Sequence, residues 1–367
     1  MYPDTRLNDL FGIEHPIVLA PMAGFATVEL AAIVSNCGAL GSIGCATMDP
    51  QRAADTLANL RSLTSKPVNL NFFCHEPAEP DASRDRAWRE RLSPYRREFG
   101  LDDTTPPPRT DLVPFDHAMC EFVEGTRPEV VSFHFGLPAP ALLTRVKAAG
   151  CKVISSATTV AEARWLEQHG VDAVIAQGLE AGGHRGTFLG AAHHRASASQ
   201  IGTFALVPQI ADAVSVPVIA AGGIADGRGI AAALALGASG TQIGTAFLLC
   251  PEAATPPLHR EALRHAGDRC TAVTNAFSGR PARAVLNRLL AEAGPFFEAA
   301  PDFPLPMGEL APLRAAAETK GISDFTPFWA GQAAALSREI GAKALMRFLV
   351  GEAQACLKRM SRTADRS

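Results

Sequence analysis

The stretch VPVIAAGGIADGRGIAAALALGASGTQIGTAF, residues 216–247, decides the fold class. Two short apolar runs, 216–221 and 240–244, have the length of β-strands, and a segment with helical periodicity, 229–236, separates them. Both runs are apolar on both faces, which is typical of strands in a parallel sheet with helices outside it. The stretch therefore predicts a strand, a helix and a second, parallel strand, the repeating unit of an α/β protein.

The same alternation runs through the first two thirds of the chain. The other predicted strands are Pro16–Ala20, Ala39–Ile43, Pro67–Phe73, Val130–Phe135, Cys151–Ser155 and Ala173–Ala176. Eight strand–helix units match the closure number of the TIM barrel, whose usual length is about 250 residues. We therefore expect a (β/α)8 barrel over residues 1–255. A doubly wound open sheet is the alternative, but no GxGxxG motif follows the first strand to support a Rossmann fold.

Two regions depart from this pattern. Residues 76–114 follow the third strand, are rich in charge and proline, and contain a basic helical piece near 83–97. We expect an inserted loop on the barrel rim, either a lid or a solvated excursion. From residue 256 the strands stop, and 256–367 is expected to form a helical appendage at the barrel mouth. Its predicted helices are Leu258–His265, Ala284–Glu292, Leu310–Lys320, Gly331–Ile340 and Ala342–Met360.

Composition argues against several classes of protein. The chain has 367 residues, of which 47% are hydrophobic and 19% charged, and its net charge is -3. The basic residues form no block, so no nucleic-acid partner is expected. We also expect no signal peptide and no membrane span. Eight cysteines without a CxxC pair are typical of reduced, mostly buried thiols, which favours a cytoplasmic protein.

Polar and glycine residues concentrate where the predicted strands end, which is where barrel enzymes carry their chemistry. The last two strands run into AAGGI, residues 220–224, and TQIGTAF, residues 241–247. Backbone N–H groups of such loops, together with the helix start near 226–230, can bind an anion. These loops predict a phosphate site, although paired glycines also make plain tight turns.

The loop AQGLEAGGHRG, residues 176–186, follows the sixth strand. Its Gly182 and Gly183 let the backbone approach a flat ligand or a phosphate closely. His184 follows them and can accept and return a proton near neutral pH. The loop therefore predicts a cofactor site with an imidazole beside it. His193 and His194 lack helical spacing and have no aspartate or cysteine with them, so no metal is expected.

Three more polar side chains stand at predicted strand ends. Asn71 and Gln177 each offer an amide donor and acceptor, which suits the edge of a heteroaromatic ring; alternatively they satisfy buried backbone groups. His134 lies between two phenylalanines, so it is either a core histidine bonded to a carbonyl or a group that faces the substrate.

Taken together, the motifs resemble those of one flavoenzyme family. They are LAPMAG (19–24), NFF (71–73), AQGLEAGGHRG (176–186), AAGGI (220–224), TQIGTAF (241–247), SGRPAR (278–283) and WAGQ (329–332). The set is similar to that of nitronate monooxygenase, also known as 2-nitropropane dioxygenase, and it spans nearly the whole chain. AGGHRG together with WAGQ is more specific than GGI, which many flavin barrels share.

The resemblance implies an FMN-dependent TIM barrel that oxidises alkyl nitronates, with propionate 3-nitronate as the expected substrate, and uses dioxygen without a reduced nicotinamide. The FMN ligands that it implies are Pro21, Met22, Asn71, Gln177, Gly182, Gly222, Gly223, Gln242, Ile243, Gly244 and Thr245. His184 would be the catalytic base, and His134 and Phe303 would bind substrate. Either a monomer or a homodimer is compatible with the resemblance.

One departure from the family concerns the substrate pocket. The resemblance implies tyrosines and a lysine from the C-terminal segment, whereas PDFPLPMGELAP, residues 301–312, offers Phe303, Met307 and Ala311. The chain has only two tyrosines, Tyr2 and Tyr95. A phenylalanine keeps the aromatic ring but loses the hydroxyl donor, so the range of substrates is expected to differ.

Two other functions fit the same residues. An enoyl-thioester reductase of the flavin-barrel superfamily would consume a reduced nicotinamide. A non-redox barrel enzyme would use the glycine loops for a sugar phosphate, although no lysine stands at a predicted strand end to form a Schiff base.

Overall fold

The structure, a computed structural model, describes residues 2–102, 108, 112–190 and 200–364. Eight parallel strands make its main sheet, with neighbours in the order β1-β9-β8-β6-β5-β4-β3-β2, and three strands make a small second sheet, in the order β10-β11-β7. The strands are β1 (Ile17–Leu19), β2 (Gly41–Gly44), β3 (Val68–Phe73), β4 (Val130–His134), β5 (Lys152–Ala157), β6 (Ala173–Gln177), β7 (Gly183–His184), β8 (Val218–Ala221), β9 (Gly240–Ile243), β10 (Thr271–Thr274) and β11 (Ala282–Val285).

The main sheet is closed between β1 and β2 through Leu40. The Leu40 N–H donates to the Ile17 carbonyl and its carbonyl accepts from the Leu19 N–H, both at 2.9 Å. The sheet has no free edge there, so the eight strands form a barrel. The predicted (β/α)8 fold is confirmed.

Some helices cover the outside of the barrel, and others belong to the insertion after β3 and to the C-terminal excursion. They are α1 (Arg6–Phe11), α2 (Val28–Asn36), α3 (Pro50–Leu63), α4 (Ala82–Glu98), α5 (His117–Thr126), α6 (Pro140–Ala148), α7 (Val160–Gln168), α8 (Thr203–Ala211), α9 (Gly227–Ala235), α10 (Pro257–Arg264), α11 (Arg288–Ala293), α12 (Leu305–Glu318) and α13 (Ala342–Ala364). Several begin at a side-chain cap, a contact that contributes about 1 kcal/mol to a helix. Thr27 accepts from the Leu30 N–H, Asp49 from the Arg52 N–H and Asp116 from the Met119 N–H.

The last helix completes the ring around the barrel. α13 packs along α9 and also contacts α2, so it lies in the eighth helical position on the outer surface. Sequence periodicity alone assigns this helix to an appendage at the mouth. Its contacts show instead that the chain returns to finish the barrel after the excursion of residues 256–341.

A second hydrophobic core joins the insertion after β3 to the C-terminal excursion. Trp88 and Tyr95 of α4 pack there with Leu289 of α11, Leu313 of α12 and Phe325. Three ion pairs border this core: Arg84–Asp302, Arg89–Glu309 and Arg288–Glu98, with N···O distances of 2.7, 2.7 and 2.8 Å. The helical piece expected near 83–97 is therefore a packed helix rather than a solvated excursion.

One predicted helix begins too early, and another is wrong. Ala282–Val285 is a strand, paired to β10 on one side and to β7 on the other, and α11 begins only at Arg288. Residues 331–340 hold only a short 3-10 helix, Ala334–Leu336. In both places hydrogen bonds to distant parts of the chain replace the local bonds of a helix, which apolar periodicity cannot foresee.

Candidate active site

A cavity of about 300 Å³ lies at the carboxyl ends of the barrel strands. Its wall contains Pro21, Met22, Asn71, His134, Gln177, Gly182, His184, Gly222, Gly223, Gln242, Gly244 and Thr245, nearly all the residues singled out from the sequence. Ile243 is not in this wall: it belongs to the hydrophobic core of the barrel, because successive strand residues face opposite sides. Phe303 is also absent from the wall and packs beside it, with its ring centroid 5.3 Å from that of His184.

Parallel register aligns three of the strand ends. Gln177 pairs with Ala221, and Ala221 pairs with Gln242, so the loops after β6, β8 and β9 begin at the same level along the barrel axis. Two of those loops are the glycine sequences that predicted a phosphate site.

The glycines are required by the local geometry. Gly222 and Gly223 have φ angles of +109° and +72°, a left-handed conformation that other residues rarely adopt. A Cβ on Gly222 would lie 2.9 Å from the Ala181 nitrogen, and one on Gly182 would lie 2.6 Å from the Gly331 nitrogen. Three backbone segments therefore meet at this side of the cavity with no room for side chains between them.

The start of α9 is not available to an anion, contrary to the sequence prediction. Its Gly227 N–H donates to the Glu352 carboxylate at 2.7 Å, and its Gly229 N–H donates to the Asp226 carboxylate at 3.0 Å. Two carboxylates from the chain itself thus satisfy these donors. A phosphate site here depends on the loop at 222–224 and not on the helix.

Gln242 has a polar atom to which none of the described residues bonds. Its Oε1 is buried and, within the part of the chain that the structure describes, makes no hydrogen bond. By contrast, Thr245 is engaged: its Oγ1 accepts from the Gly331 N–H at 3.0 Å and so ties the WAGQ segment to the end of β9. A buried unpaired amide oxygen in a cavity wall indicates a position where a ligand donor is missing.

Two buried arginines support the loop that carries His184. Arg185 donates through Nη1 to the Gly178 carbonyl at 2.6 Å, and through Nη2 to the Gln177 carbonyl at 2.9 Å. Arg283 donates through Nε to the Leu179 carbonyl, also at 2.9 Å. Three successive carbonyls are thereby fixed by guanidinium groups that face away from solvent, 1% and 4% exposed respectively.

Gln177 holds the other side of the same loop. Its Oε1 accepts from the Gly186 N–H at 2.8 Å, and its Nε2 donates to the His184 carbonyl at 2.9 Å. The amide thus satisfies buried backbone groups while it lines the cavity. Asn71 is less fully used: its Nδ2 donates to the Ser132 hydroxyl at 2.9 Å, and the described residues offer no hydrogen bond to its Oδ1.

His184 lies in the short strand β7, which pairs with β11 through Ala282. Its Nε2 is 2.9 Å from the Ser278 hydroxyl, so the ring is oriented from the C-terminal excursion. Aromatic rings surround the imidazole, with Trp329 at 5.2 Å and Phe303 at 5.3 Å between centroids. The ring is therefore held on the cavity wall in apolar surroundings.

His134 fixes the backbone of His184. Its Nε2 lies 3.2 Å from the His184 carbonyl and its Nδ1 lies 3.0 Å from the Ser156 hydroxyl. A carbonyl can only accept, so the proton is on Nε2 and Nδ1 accepts from Ser156. With both nitrogens bonded to the protein, His134 matches the core-histidine alternative.

Both imidazoles are kept neutral. Burial, followed by the nearby His134 and Arg280, lowers the pKa of His184 to about 3. Burial likewise lowers the pKa of His134 to about 4, against the opposing effect of its bond to the His184 carbonyl. At neutral pH His184 can therefore accept a proton, but only as a weak base.

Sequence reasoning missed the residues that approach from the C-terminal excursion. Ser278 bonds to His184; at Gly279 a Cβ would lie 2.4 Å from the Pro301 carbonyl oxygen; and Arg280 reaches the aromatic rings beside the cavity. The sequence signal for these residues is the motif SGRPAR, and its residue types do not predict that it packs beside the cavity. His75, just after β3, was also missed.

The described residues offer neither a metal cluster nor a membrane helix. No group of three or more histidine, cysteine or acidic residues there could hold a metal, and His193 and His194 lie outside that part of the chain. None of the described helices is both long enough and apolar enough to cross a bilayer.

Comparison with known proteins gives consistent matches over the whole chain. The family profile described as nitronate monooxygenase matches residues 4–352. A Pseudomonas aeruginosa nitronate monooxygenase is 45% identical, over 95% of this chain and 98% of the relative, and one from Paraburkholderia phytofirmans is 42% identical, over 98% of each. Among solved structures, a Streptomyces ansochromogenes nitroalkane oxidase superposes with a TM-score of 0.87 at 36% identity, covering 97% of this chain and 99% of the other.

Proposed function

The chain belongs to the nitronate monooxygenase family, and from that premise we propose that it binds FMN in the barrel cavity and oxidises alkyl nitronates with dioxygen. Propionate 3-nitronate is the proposed substrate. One observation carries the proposal: a neutral imidazole and a cradle of left-handed glycines line the same cavity. The first suits proton chemistry, and the second suits a phosphate held by backbone N–H groups.

The residues present fit a flavin mononucleotide. Gly222, where a Cβ would lie 2.9 Å from the Ala181 nitrogen, and Gly223, whose φ angle is +72°, would hold the phosphate through their backbone N–H groups. The Oε1 of Gln242, which the described residues leave unpaired, and the Oδ1 of Asn71 are acceptors, as the N–H group of a flavin pyrimidine requires. Met22 offers a polarizable surface to the flat ring.

When bound, FMN would accept electrons from the substrate and pass them to dioxygen. The contribution of the protein is to orient the substrate and to manage its protons. Ser278 bonds to the ring of His184, and His134 and Gln177 bond to its backbone carbonyl, so the ring has one defined position. Trp329 and the phenylalanines beside it limit the access of water to that ring.

The low pKa of His184 favours nitronates over nitroalkanes. A nitronate is already deprotonated and needs no base, whereas a neutral nitroalkane must lose a proton to an imidazole whose pKa is about 3. A base so weak gives little driving force for that transfer. We therefore propose that nitronates are oxidised efficiently and the corresponding nitroalkanes slowly.

Steady-state oxygen consumption tests the proposal. The FMN-loaded protein should consume oxygen with propionate 3-nitronate and much less with 3-nitropropionate. His184→Asn should abolish the residual nitroalkane activity and retain most of the nitronate activity, because only the first reaction needs a base. Oxygen uptake or enoyl-thioester turnover that depends on a reduced nicotinamide, without nitronate oxidation, would contradict the proposal and favour a reductase.

The cysteines bear on where the reaction takes place. All eight are free thiols, and no disulfide joins any of them. Reduced thiols are usual in the cytoplasm, where we propose that the protein works.

A further inference from the structure

Arg280 is a buried guanidinium with few partners. It is 7% exposed, and the one hydrogen bond that its side chain makes to the described residues, from Nη1 to the Thr187 carbonyl, is long at 3.3 Å. No carboxylate of the described residues lies within 4.0 Å of it. Arg185, by comparison, donates hydrogen bonds to two backbone carbonyls and to two glutamine side chains. Burial of an unpaired charge is costly, so Arg280 needs a partner that the described residues do not supply.

The nearest acidic side chains do not fill that role. Glu76 and Asp302 raise the pKa of Arg280 by electrostatic attraction, but burial outweighs them and lowers it to about 10. Asp302 is already bound by Arg84 at 2.7 Å. Glu76 is exposed, which screens its charge.

The guanidinium of Arg280 lies against aromatic rings that adjoin the cavity. Its guanidinium carbon lies 4.3 Å from the ring centroid of Phe135 and 5.9 Å from that of Phe303. Phe135 has a φ angle of +69°, a left-handed conformation that costs energy for a residue with a Cβ. Such strain is maintained only where the surroundings require it, and here it places a ring beneath the guanidinium.

The same rings connect Arg280 to the candidate base. The His184 centroid is 5.9 Å from that of Phe135 and 5.3 Å from that of Phe303. His75 stacks edge-on against Phe303 at 4.9 Å, is 4% exposed, and has a buried Nδ1 for which the described residues give no hydrogen bond. A second polar atom that the described residues leave unpaired thus lies in the same aromatic cluster.

We propose that Arg280 binds a carboxylate carried by the substrate, at the end away from the reacting carbon, and so selects carboxylate-bearing nitronates. The inference rests on the proposed function and adds to it a residue that determines specificity. The guanidinium is a fixed, permanently charged fork, which suits bidentate binding of a carboxylate.

Paired substrates and paired variants test the proposal on the holoenzyme. Propionate 3-nitronate and propyl-1-nitronate have equal chain lengths and differ in the terminal carboxylate. Loss of a hydrogen bond to a charged group should lower kcat/KM for propionate 3-nitronate in Arg280→Met by about 10- to 150-fold, mostly through KM. Propyl-1-nitronate should change by less than about threefold, and Arg280→Lys should recover part of the loss.

Arg264→Met is the control, because it removes an exposed guanidinium that pairs with Glu339 and takes no part in the Arg280 cluster. It should affect both substrates equally. An equal loss on both substrates in Arg280→Met, or no loss on either, overturns the proposal and assigns Arg280 a structural role.

A binding experiment separates this inference from the proposed function. Calorimetry of the holoenzymes without oxygen should show weaker binding of 3-nitropropionate to Arg280→Met, and no change for 1-nitropropane. If the wild type oxidises neither nitronate but this difference is found, the carboxylate subsite stands and the proposed function fails. If the wild type oxidises both nitronates and the difference is missing, the subsite fails alone.

Discussion

Arg185→Met tests how the loop at 177–186 is held in place. The substitution keeps most of the aliphatic stem and removes the guanidinium, which leaves the buried carbonyls of Gln177 and Gly178 without those donors. Each unpaired carbonyl costs about 1–3 kcal/mol. Relief of a charge that burial disfavours, since the pKa of Arg185 is lowered to about 10, offsets a part of this sum. We expect a net cost of about 2–4 kcal/mol.

That cost should appear first as loss of cofactor. The loop joins β6 to β7 and can open without unfolding the barrel. The substitution therefore destabilises the closed loop that binds FMN, and the free energy of FMN binding becomes less favourable. At 1.4 kcal/mol for each factor of ten, FMN should bind about 30- to 1,000-fold more weakly. Fluorescence titration of the apoprotein with FMN measures this ratio, and hydrogen exchange at 178–184 should increase.

The matched control is Arg264→Met, which removes an exposed guanidinium paired with Glu339. Exposed ion pairs contribute about 0–1 kcal/mol, so FMN binding should not change. An Arg185→Met protein that binds FMN within about threefold of the wild type would refute the bracing role of Arg185, and with it the argument that buried guanidiniums shape the site.

Two further predictions concern packing and pH. Gly182→Ala should weaken FMN binding and destabilise the fold by about 1–3 kcal/mol in urea titrations, because its Cβ would lie 2.6 Å from the Gly331 nitrogen. The control Gly125→Ala has open space around the new Cβ and should be neutral or stabilising. Equal effects of the two substitutions would contradict the close approach of the backbone at Gly182. His75 and His259 are 4% and 1% exposed, and burial lowers the pKa of each to about 4, so the unfolded chain takes up their protons first as pH falls below about 6.5. The free energy of unfolding should therefore decline by about 1 kcal/mol per pH unit for each of these histidines between pH 6.5 and 5. Urea titrations with a flat profile over that range would show that these groups are not buried in the neutral form.

The barrel could be predicted from the sequence because its signals are local. Short apolar runs and the glycines after them set β8 and β9, and the glycine loops then follow from the rule that barrel sites lie at strand ends. The cavity wall contains nearly every residue chosen on that ground.

The remaining features depend on contacts between distant segments. β7 has only two residues and exists because β11 pairs with it, so neither strand is visible in local periodicity. Ser278 bonds to His184 although the two residues are 94 positions apart in the sequence, and Arg280 comes from the same distant segment. α13 has an ordinary helical pattern, and only its contacts with α9 and α2 reveal that it completes the barrel.

An anaerobic titration of the purified protein with propionate 3-nitronate tests the central claim most directly. We predict a yellow protein with bound FMN whose flavin absorbance is bleached by the nitronate and restored by air, while a reduced nicotinamide leaves it unchanged. A protein that binds no FMN, or whose flavin is bleached by the nicotinamide and not by the nitronate, would contradict the account.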